Sequence, residues 1–272
     1  MSNALSLLLG AGLSDALYVG HSSEDLFFHI LFSHYLHVVR ETGKNHFLIA
    51  GNPDIPFLPK LGCYTKPLPG GVITREILEK SINPRVSLLS LPWADPVSGL
   101  IHPMHEIAEF CHSHGILLHV DGSAIIGRID FRIQDTNPDY FSFDNGIFTR
   151  QPLYVAPVPA ELVTTLTKQV EYRLSAFDRV VTEVARLRDL LEDKMSPLAE
   201  LPFKSSERVP DIAAFSLRHM HSDYLRFLLH RRQIVSHAVD DHTVSLRLSP
   251  TMDEVHIEQL IKVLKECIHE PA

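Results

Sequence analysis

The hydrophobic positions in the first half of the chain form short continuous runs and longer runs with helical spacing. The short runs are bounded by turn residues, which predicts strands that are buried in a sheet. These strands are predicted over 16–19, 46–50, 86–91, 116–120 and 140–143. The helical runs lie over 4–12, 26–39, 74–82 and 104–114. Strands that alternate with helices predict an α/β fold with a mostly parallel sheet.

The second half follows a different pattern. Apolar residues recur at three- and four-residue steps over 163–195, which predicts one long helix that connects two domains or binds a partner. Beyond it, short strands and helices predict a small α+β domain, whose last helix would begin at a capping box of Thr251 and Glu254. Its strands are predicted over 212–217, 234–238 and 244–248, and its helices over 222–230 and 251–268. We expect a large domain over 1–158, a connecting helix over 159–200 and a small domain over 201–272.

Two segments of the large domain carry candidate binding residues. Asp121 follows the predicted strand 116–120, and ligands of open α/β sheets bind at the carboxyl ends of the strands. Gly20 and Ser22 lie between a strand and the N-terminus of a helix, where free N–H groups and the helix dipole attract anions. Alternatively, Ser22 or Ser23 caps this helix and Asp25 completes a capping box. The sequence leaves both interpretations open.

Composition narrows the class of protein. The chain has 272 residues, of which 45% are hydrophobic, so it can bury one large core and a smaller one. Its formal net charge of -8 gives no basic footprint for nucleic acid or an anionic membrane. Three widely spaced cysteines suit a reducing compartment, and no apolar run is long enough to span a bilayer. The first residues lack the basic region of a secretory signal, so we expect a cytoplasmic protein.

Histidines surround the predicted helix 104–114, with Cys111 among them. A structural metal site needs three or four side chains that converge on one point, and these spacings match no familiar zinc motif. We therefore expect a solvated, histidine-rich helix face and no metal site.

Four landmarks of the large domain occur in a fixed order. They are HVDG at 119–122, GRID at 127–130, PDYFSF at 138–143 and a turn of small residues at 144–147. This order resembles the core of the class V aminotransferases and cysteine desulfurases, fold-type-I enzymes that use pyridoxal phosphate. The resemblance implies a fold-type-I large domain and a small C-terminal α+β domain.

The resemblance also implies roles for individual residues. Asp121 matches the aspartate that pairs with the pyridinium nitrogen of the cofactor. Gly20 and Ser22 lie in a segment similar to the phosphate loop of the family. Arg247 lies in a segment, SLRLS at 245–249, that resembles the strand whose arginine grips the substrate carboxylate. A surface or interdomain salt bridge is the alternative for Arg247.

The chain departs from the family where the chemistry occurs. The family turn carries the lysine that forms the Schiff base, and the gapless alignment places Ile147 there. The chain has no lysine between Lys80 and Lys168. Asp144 replaces a serine that contacts phosphate, which would cost on the order of 1–4 kcal/mol in repulsion at a few Å.

Further departures concern the surrounding loops. Asp54 stands at the position of a histidine that stacks on the cofactor ring, and Pro96 replaces a cofactor-contacting asparagine, with Asp95 a weak substitute. A strand over 151–155 is expected directly after the turn, without the glycine-rich loop of the family. The N-terminal arm of the family is also expected to be missing, and 237–242 lacks the nucleophilic cysteine of desulfurases.

These observations predict a relative of the cysteine desulfurases that has lost pyridoxal phosphate catalysis and acts as a binding or regulatory subunit. It would form a homodimer, or a heterodimer with an active relative, and could bind a small amino-acid or anionic ligand. The alternative is a pyridoxal phosphate-dependent transferase or lyase acting on an amino acid, which requires a different alignment. A third possibility is hydrolysis that uses His119 or Asp144.

Overall fold

The computed structural model describes residues 2–12, 14–51, 55–155, 159–217 and 220–269. The chain divides into two compact units. The first contains Met1–Trp93, His102–Ile126 and Asp130–Tyr172, and the second contains Ala94–Ile101, Gly127–Ile129 and Arg173–Ala272. Each unit has its own sheet, so each is described by itself.

The first unit is built on a seven-stranded sheet with the order β1-β7-β6-β5-β4-β2-β3. The strands are β1 (Ala16–Val19), β2 (His46–Ala50), β3 (Tyr64–Leu68), β4 (Val86–Pro92), β5 (Leu117–Asp121), β6 (Tyr140–Phe143) and β7 (Gly146–Thr149). Strands β2 to β6 run parallel, and β7 runs antiparallel to both β6 and β1. The prediction of an α/β fold with a mostly parallel sheet is confirmed.

The helices predicted over 4–12, 26–39, 74–82 and 104–114 are all present, and a short helix that was not predicted, Ile133–Thr136, follows β5. They are α1 (Ser2–Leu9), α2 (Ser23–His34), α3 (Arg40–Thr42), α4 (Arg75–Ser81), α5 (Met104–His114), α6 (Ile133–Thr136) and α7 (Ala160–Ser175), the last of which extends into the second unit. A π-helical turn, Tyr35–Val39, joins α2 to α3, and a 3-10 turn covers Pro59–Leu61. Gly115, in the left-handed region, ends α5.

The buried faces of these elements form the core of the unit. Helix α2 contributes Leu26 and Ile30, which belong to one cluster with Phe47 of β2, Tyr140 of β6 and Ile147 of β7. All of these side chains are almost completely buried. The packing of α2 against these strands therefore covers part of one face of the sheet.

The second unit contains a four-stranded antiparallel sheet with the order β10-β11-β9-β8. Its strands are β8 (Ala199–Glu200), β9 (Ile212–Leu217), β10 (His237–Ala238) and β11 (Thr243–Arg247). Its helices are α8 (Phe177–Arg179), α9 (Ala185–Met195), α10 (Ser222–Arg231) and α11 (Glu254–His269), with a π-helical turn, Val180–Val184, before α9. Helices α9, α10 and α11 share one core with the strands, which includes Leu187, Leu229 and Leu264.

Four local predictions are wrong. Residues 151–155 form no strand, because β7 begins directly after the turn and provides the antiparallel partner of β6. Only His237–Ala238 of the predicted strand 234–238 pairs with β11. The helix predicted over 163–195 is interrupted near Ala176. Helix α11 begins at Glu254, and Asp253 Oδ1, not Thr251, accepts the backbone N–H of His256.

None of the helices in the described part of the chain is long and apolar enough to cross a membrane.

Candidate functional site

Asp121 is the last residue of β5, at the carboxyl edge of the parallel strands, as predicted. Its Oδ1 accepts hydrogen bonds from the backbone N–H of Ser123 at 2.9 Å and from Ser123 Oγ at 2.6 Å. This pattern is an Asx turn, in which a carboxylate replaces a backbone acceptor. Asp121 Oδ2 accepts no hydrogen bond from the described residues, and the side chain is only half-buried. This oxygen can accept a hydrogen bond from a ligand.

Ser123 extends this arrangement to the neighbouring strand. The backbone N–H of Asp144 donates to Ser123 Oγ at 2.9 Å. Asp144 has a φ of 48°, a left-handed conformation that aspartate tolerates better than most residues. It forms a two-residue turn with Asn145 between β6 and β7. Ser123 therefore links the end of β5 to this turn.

The same turn contacts the loop that contains Gly20. The N–H of Gly20 donates to the carbonyl oxygen of Asn145 at 2.9 Å, and Asn145 Nδ2 donates to the carbonyl oxygen of Gly20 at 3.1 Å. The structure thus brings together two predicted site residues, Asp121 and Gly20, through Ser123 and the turn. The sequence analysis assigned no role to Ser123. Its position two residues after an aspartate at a strand end could have indicated an Asx turn.

Ser22 caps helix α2. Its side chain accepts the N–H of Asp25 at 3.1 Å, and Asp25 Oδ2 accepts the N–H of His21 at 3.4 Å. The capping interpretation is therefore correct for Ser22, while the Asp25 carboxylate reaches back one residue further than in a standard capping box. The first turn of α2 also contains Glu24. Two carboxylates at this N-terminus repel a phosphate dianion.

His119 lies beneath the site. Its Nδ1 is 2.8 Å from Ser90 Oγ of β4, and its Nε2 is 2.9 Å from Ser142 Oγ of β6. The ring also stacks on Phe27, with 5.5 Å between the ring centroids. Burial lowers the pKa of His119 to about 3, so the ring is neutral. The neutral ring has a serine hydroxyl at each nitrogen and so links β5 to β4 and β6.

The alignment with the family placed Gly146 and Ile147 in the turn. In the structure both residues belong to β7. The neighbours of Ile147 across the strands are Tyr18 of β1 and Ser142 of β6. The side chain is 0% exposed and belongs to the apolar cluster of α2 and the sheet. The turn is shorter than expected because β7 starts at Gly146.

Arg247 ends β11 in the second unit. Its Nε lies 3.6 Å from Asp211 Oδ2, and its NH2 group donates to the carbonyl oxygen of Pro96 at 3.2 Å. Arg128 shares the same carboxylate oxygen at 2.7 Å. Burial lowers the pKa of Arg247, and repulsion from Arg128 and Arg173 lowers it further, against the attraction of Asp211. Arg247 is 42% exposed, so a small anion can reach it.

Two other positions that the family comparison singled out are Asp54 and Asp95. Asp54 lies outside the described residues. Asp95 Oδ1 accepts hydrogen bonds from the N–H groups of Val97 and Ser98 and so stabilises its own turn. No group of histidine, cysteine, aspartate or glutamate side chains within the described ranges is arranged to hold a metal ion.

A covalently bound pyridoxal phosphate would need three features at this edge of the first unit. Asp121 provides an acceptor for the pyridinium nitrogen. A Schiff-base amine has no candidate in the turn, since Ile147 is apolar and buried. Asp25 and Glu24 lie in the first turn of α2, next to the loop at Gly20, and their negative charges oppose phosphate binding there. The described residues therefore fit one part of the cofactor and do not fit its covalent attachment.

Comparisons with known proteins agree with this picture of the fold. Residues 63–145, which run from the start of β3 to the turn after β6, match the family model described as aminotransferase class-V. A cysteine desulfurase of Klebsiella pneumoniae is 32% identical over 72 residues, which are 26% of this chain and 18% of that protein. The putative cysteine desulfurase NifS of Bacillus subtilis (strain 168) is 33% identical over 75 residues, which are 28% of this chain and 19% of that protein.

The chain is related to the class V aminotransferases and cysteine desulfurases. The aligned segments span less than a fifth of the length of these two relatives. Solved structures extend the likeness of fold to nearly the whole chain. A NifS-like protein has a TM-score of 0.81 at 18% identity and covers 97% of this chain and 85% of its own. The apo cysteine desulfurase of Thermococcus onnurineus NA1 has a TM-score of 0.75 at 13% identity, over 98% of this chain and 82% of its own.

Proposed function

We propose that this class V aminotransferase-like chain has lost pyridoxal phosphate catalysis and acts as a binding or regulatory subunit. The observation that carries the proposal is the environment of Ile147. It is fully buried in β7, in the apolar cluster beneath the turn where the family carries its lysine. Without an amine at this place, the chain can neither form an internal Schiff base nor exchange it for a substrate amine.

The contacts of Asp121, Gly20 and His119 are better suited to ligand binding than to catalysis. Asp121 is engaged through one carboxylate oxygen only, and the Gly20 loop is fixed by two hydrogen bonds to Asn145. His119 is neutral and held by two serine hydroxyls, so it is poorly suited to act as a general base. This arrangement speaks against hydrolysis that would use His119.

The ligand that we propose is a small amino acid or another small anion. Arg247 supports this choice because its guanidinium group is partly exposed and its ion-pair partner, Asp211, is shared with Arg128. Guanidinium groups bind carboxylates in a fixed, often bidentate geometry. For the whole protein, the choice of ligand rests on the resemblance to the family.

The family dimerises through its large domains, so we propose that this chain pairs with a second copy or with an active relative. A subunit without the lysine could then regulate the active partner. Co-expression with a catalytically active cysteine desulfurase, followed by affinity purification and light scattering, tests this part of the proposal. A chain that is monomeric alone and also in the mixture would contradict it.

The alternative is a pyridoxal phosphate-dependent transferase or lyase acting on an amino acid. The position of Asp121 at the end of β5 favours it, because a ring nitrogen could still pair with the carboxylate. Such an enzyme would need an amine from elsewhere in the chain. The two functions therefore differ in whether any lysine forms a Schiff base.

Reduction with borohydride separates the two functions. The full chain is incubated with pyridoxal phosphate, reduced, digested and analysed by mass spectrometry, with an active cysteine desulfurase treated in parallel. We expect the phosphopyridoxyl-lysine peptide only in the desulfurase, and no internal-aldimine absorbance band in the proposed pseudoenzyme. A specific, stoichiometric phosphopyridoxyl-lysine in this chain would overturn the proposal in favour of an enzyme.

A further inference from the structure

The amino ends of three parallel strands form a second concave surface in the first unit. His46, Tyr64 and Val86 are the first residues of β2, β3 and β4, and both Tyr64 and Val86 pair with His46. Leu48 pairs with Lys66 two residues further along. Because alternate residues of a strand lie on the same face, these side chains share one face of the sheet. This surface is at the opposite end of the strands from Asp121.

These residues line a cavity of about 420 Å³. Leu48 and Val86 are 1% and 2% exposed and provide an apolar floor. Tyr64, Lys66 and Arg85 line its sides and are all exposed. Cavities that bind small molecules combine such an apolar floor with a few polar groups and have volumes of roughly 300–1,000 Å³.

The charge of the cavity contrasts with that of the chain. Two cationic side chains line it and no carboxylate does, although the net charge of the protein is -8. Lys66 Nζ donates to the carbonyl oxygen of Ser81 at 3.2 Å, which holds the ammonium group near the cavity. The guanidinium group of Arg85 makes no hydrogen bond or ion pair with the described residues. Both groups can therefore bind an anion.

The aromatic residues add a flat surface. The Tyr64 side chain is 59% exposed, and its ring meets the His46 ring edge-on, with 5.6 Å between centroids and 74° between the planes. Asn83 Nδ2 lies 3.0 Å from His46 Nδ1, and Asn83 Oδ1 accepts the backbone N–H of Arg85 at 2.8 Å. The amide thus fixes His46 and the Arg85 loop together. An exposed aromatic face beside cations is suited to a planar ring that carries a negative charge.

We propose that this cavity binds a phosphorylated aromatic small molecule, of which a mononucleotide is the simplest representative. The ring stacks on Tyr64, and the phosphate contacts Lys66 and Arg85. Neither interaction uses Asp121, Gly20 or Arg247, so the proposal is independent of whether pyridoxal phosphate binds beside Asp121.

Isothermal titration calorimetry of the full chain with adenosine 5′-monophosphate tests the proposal. Adenosine and inorganic phosphate are titrated separately. We expect the nucleotide to bind at least tenfold more tightly than either, because it alone uses both the aromatic and the cationic side of the cavity. Lys66→Ala, Arg85→Ala and Tyr64→Ser are each expected to weaken binding at least fivefold. All three side chains are exposed, so these variants should fold.

Lys80→Ala and Arg75→Ala are matched controls, because these exposed cations of α4 pair with Glu76 and Glu79 and do not line the cavity. They should leave binding of the nucleotide unchanged. Absence of binding by the unmodified chain would overturn the proposal. Equal affinity for inorganic phosphate, or equal losses in the control and cavity variants, would also overturn it, since either result indicates nonspecific attraction of anions.

Discussion

Asn145 and Gly20 are joined by two reciprocal hydrogen bonds, although 125 positions separate them in the sequence. One bond is between backbone groups and the other uses the Asn145 side chain. Together they attach the loop before α2 to the turn between β6 and β7. The geometry of the candidate site therefore depends on this pair.

Removal of the side-chain bond should weaken the attachment. We expect Asn145→Ala to lower the free energy of unfolding by about 0.5–1.5 kcal/mol, the usual net value of one hydrogen bond. Asn145→Asp should cost more at neutral pH, because a carboxylate would then face the carbonyl oxygen of Gly20. Urea denaturation measures both. Equal stability of the two variants at pH 7 would show that the side chain does not contact Gly20.

Ile147→Lys tests the environment of the position that the family alignment assigns to the lysine. The ammonium group would replace a side chain that is 0% exposed in an apolar cluster. An unpaired buried charge is strongly unfavourable, so we expect a loss of about 3–5 kcal/mol or failure to fold. Ile147→Val is the control and should cost only about 0.5–1.5 kcal/mol. A stable Ile147→Lys protein would mean that the position is open to solvent or to a cofactor.

The ion pair of Glu192 and Arg208 anchors the second unit. These side chains are 1% and 4% exposed, and two hydrogen bonds of 2.5 and 2.7 Å join them. Removal of one partner leaves a buried charge, so Arg208→Met should cost about 3–5 kcal/mol. The double variant Glu192→Leu/Arg208→Met should recover a large part of that loss. Chemical denaturation of the two single variants and the double variant measures the coupling, and additive losses would contradict this account.

Buried neutral histidines should make the protein sensitive to mild acid. Burial lowers the pKa of His119 to about 3 and that of His34 to about 4, against about 6.5 in the unfolded chain. Below pH 6.5 the unfolded chain binds protons that the folded chain does not bind. Each histidine therefore removes up to about 1.4 kcal/mol of stability per pH unit as the pH falls from 6.5 towards its folded pKa.

His119→Asn should lower stability at pH 7 and also flatten the pH dependence between pH 6.5 and 4. His105→Asn serves as the control, because His105 is exposed on α5. Urea denaturation at a series of pH values gives the slopes. An unchanged slope for His119→Asn would show that this ring titrates normally in the folded protein.

Much of the fold was predictable from local pattern. The bounds of β2, β6, β9 and α5 agree with the prediction to the residue, because continuous apolar runs and terminal glycines mark them. Strand β3 was missed because its sequence, YTKPL, contains no continuous apolar run and includes a proline. It is an edge strand, and lysine and proline at a sheet edge reduce pairing with other chains.

The sequence by itself determined the alternation of most strands and helices in the first unit, the position of Asp121 at a strand end and the lack of a lysine between Lys80 and Lys168. These features depend on residue type and spacing along the chain. Only the tertiary structure decided that Ile147 lies within a strand, that Asn145 holds Gly20, and that Ser123 joins β5 to the turn. Hydrogen bonds and burial between distant segments arise from pairing across the sheet, and single-sequence periodicity does not encode that pairing.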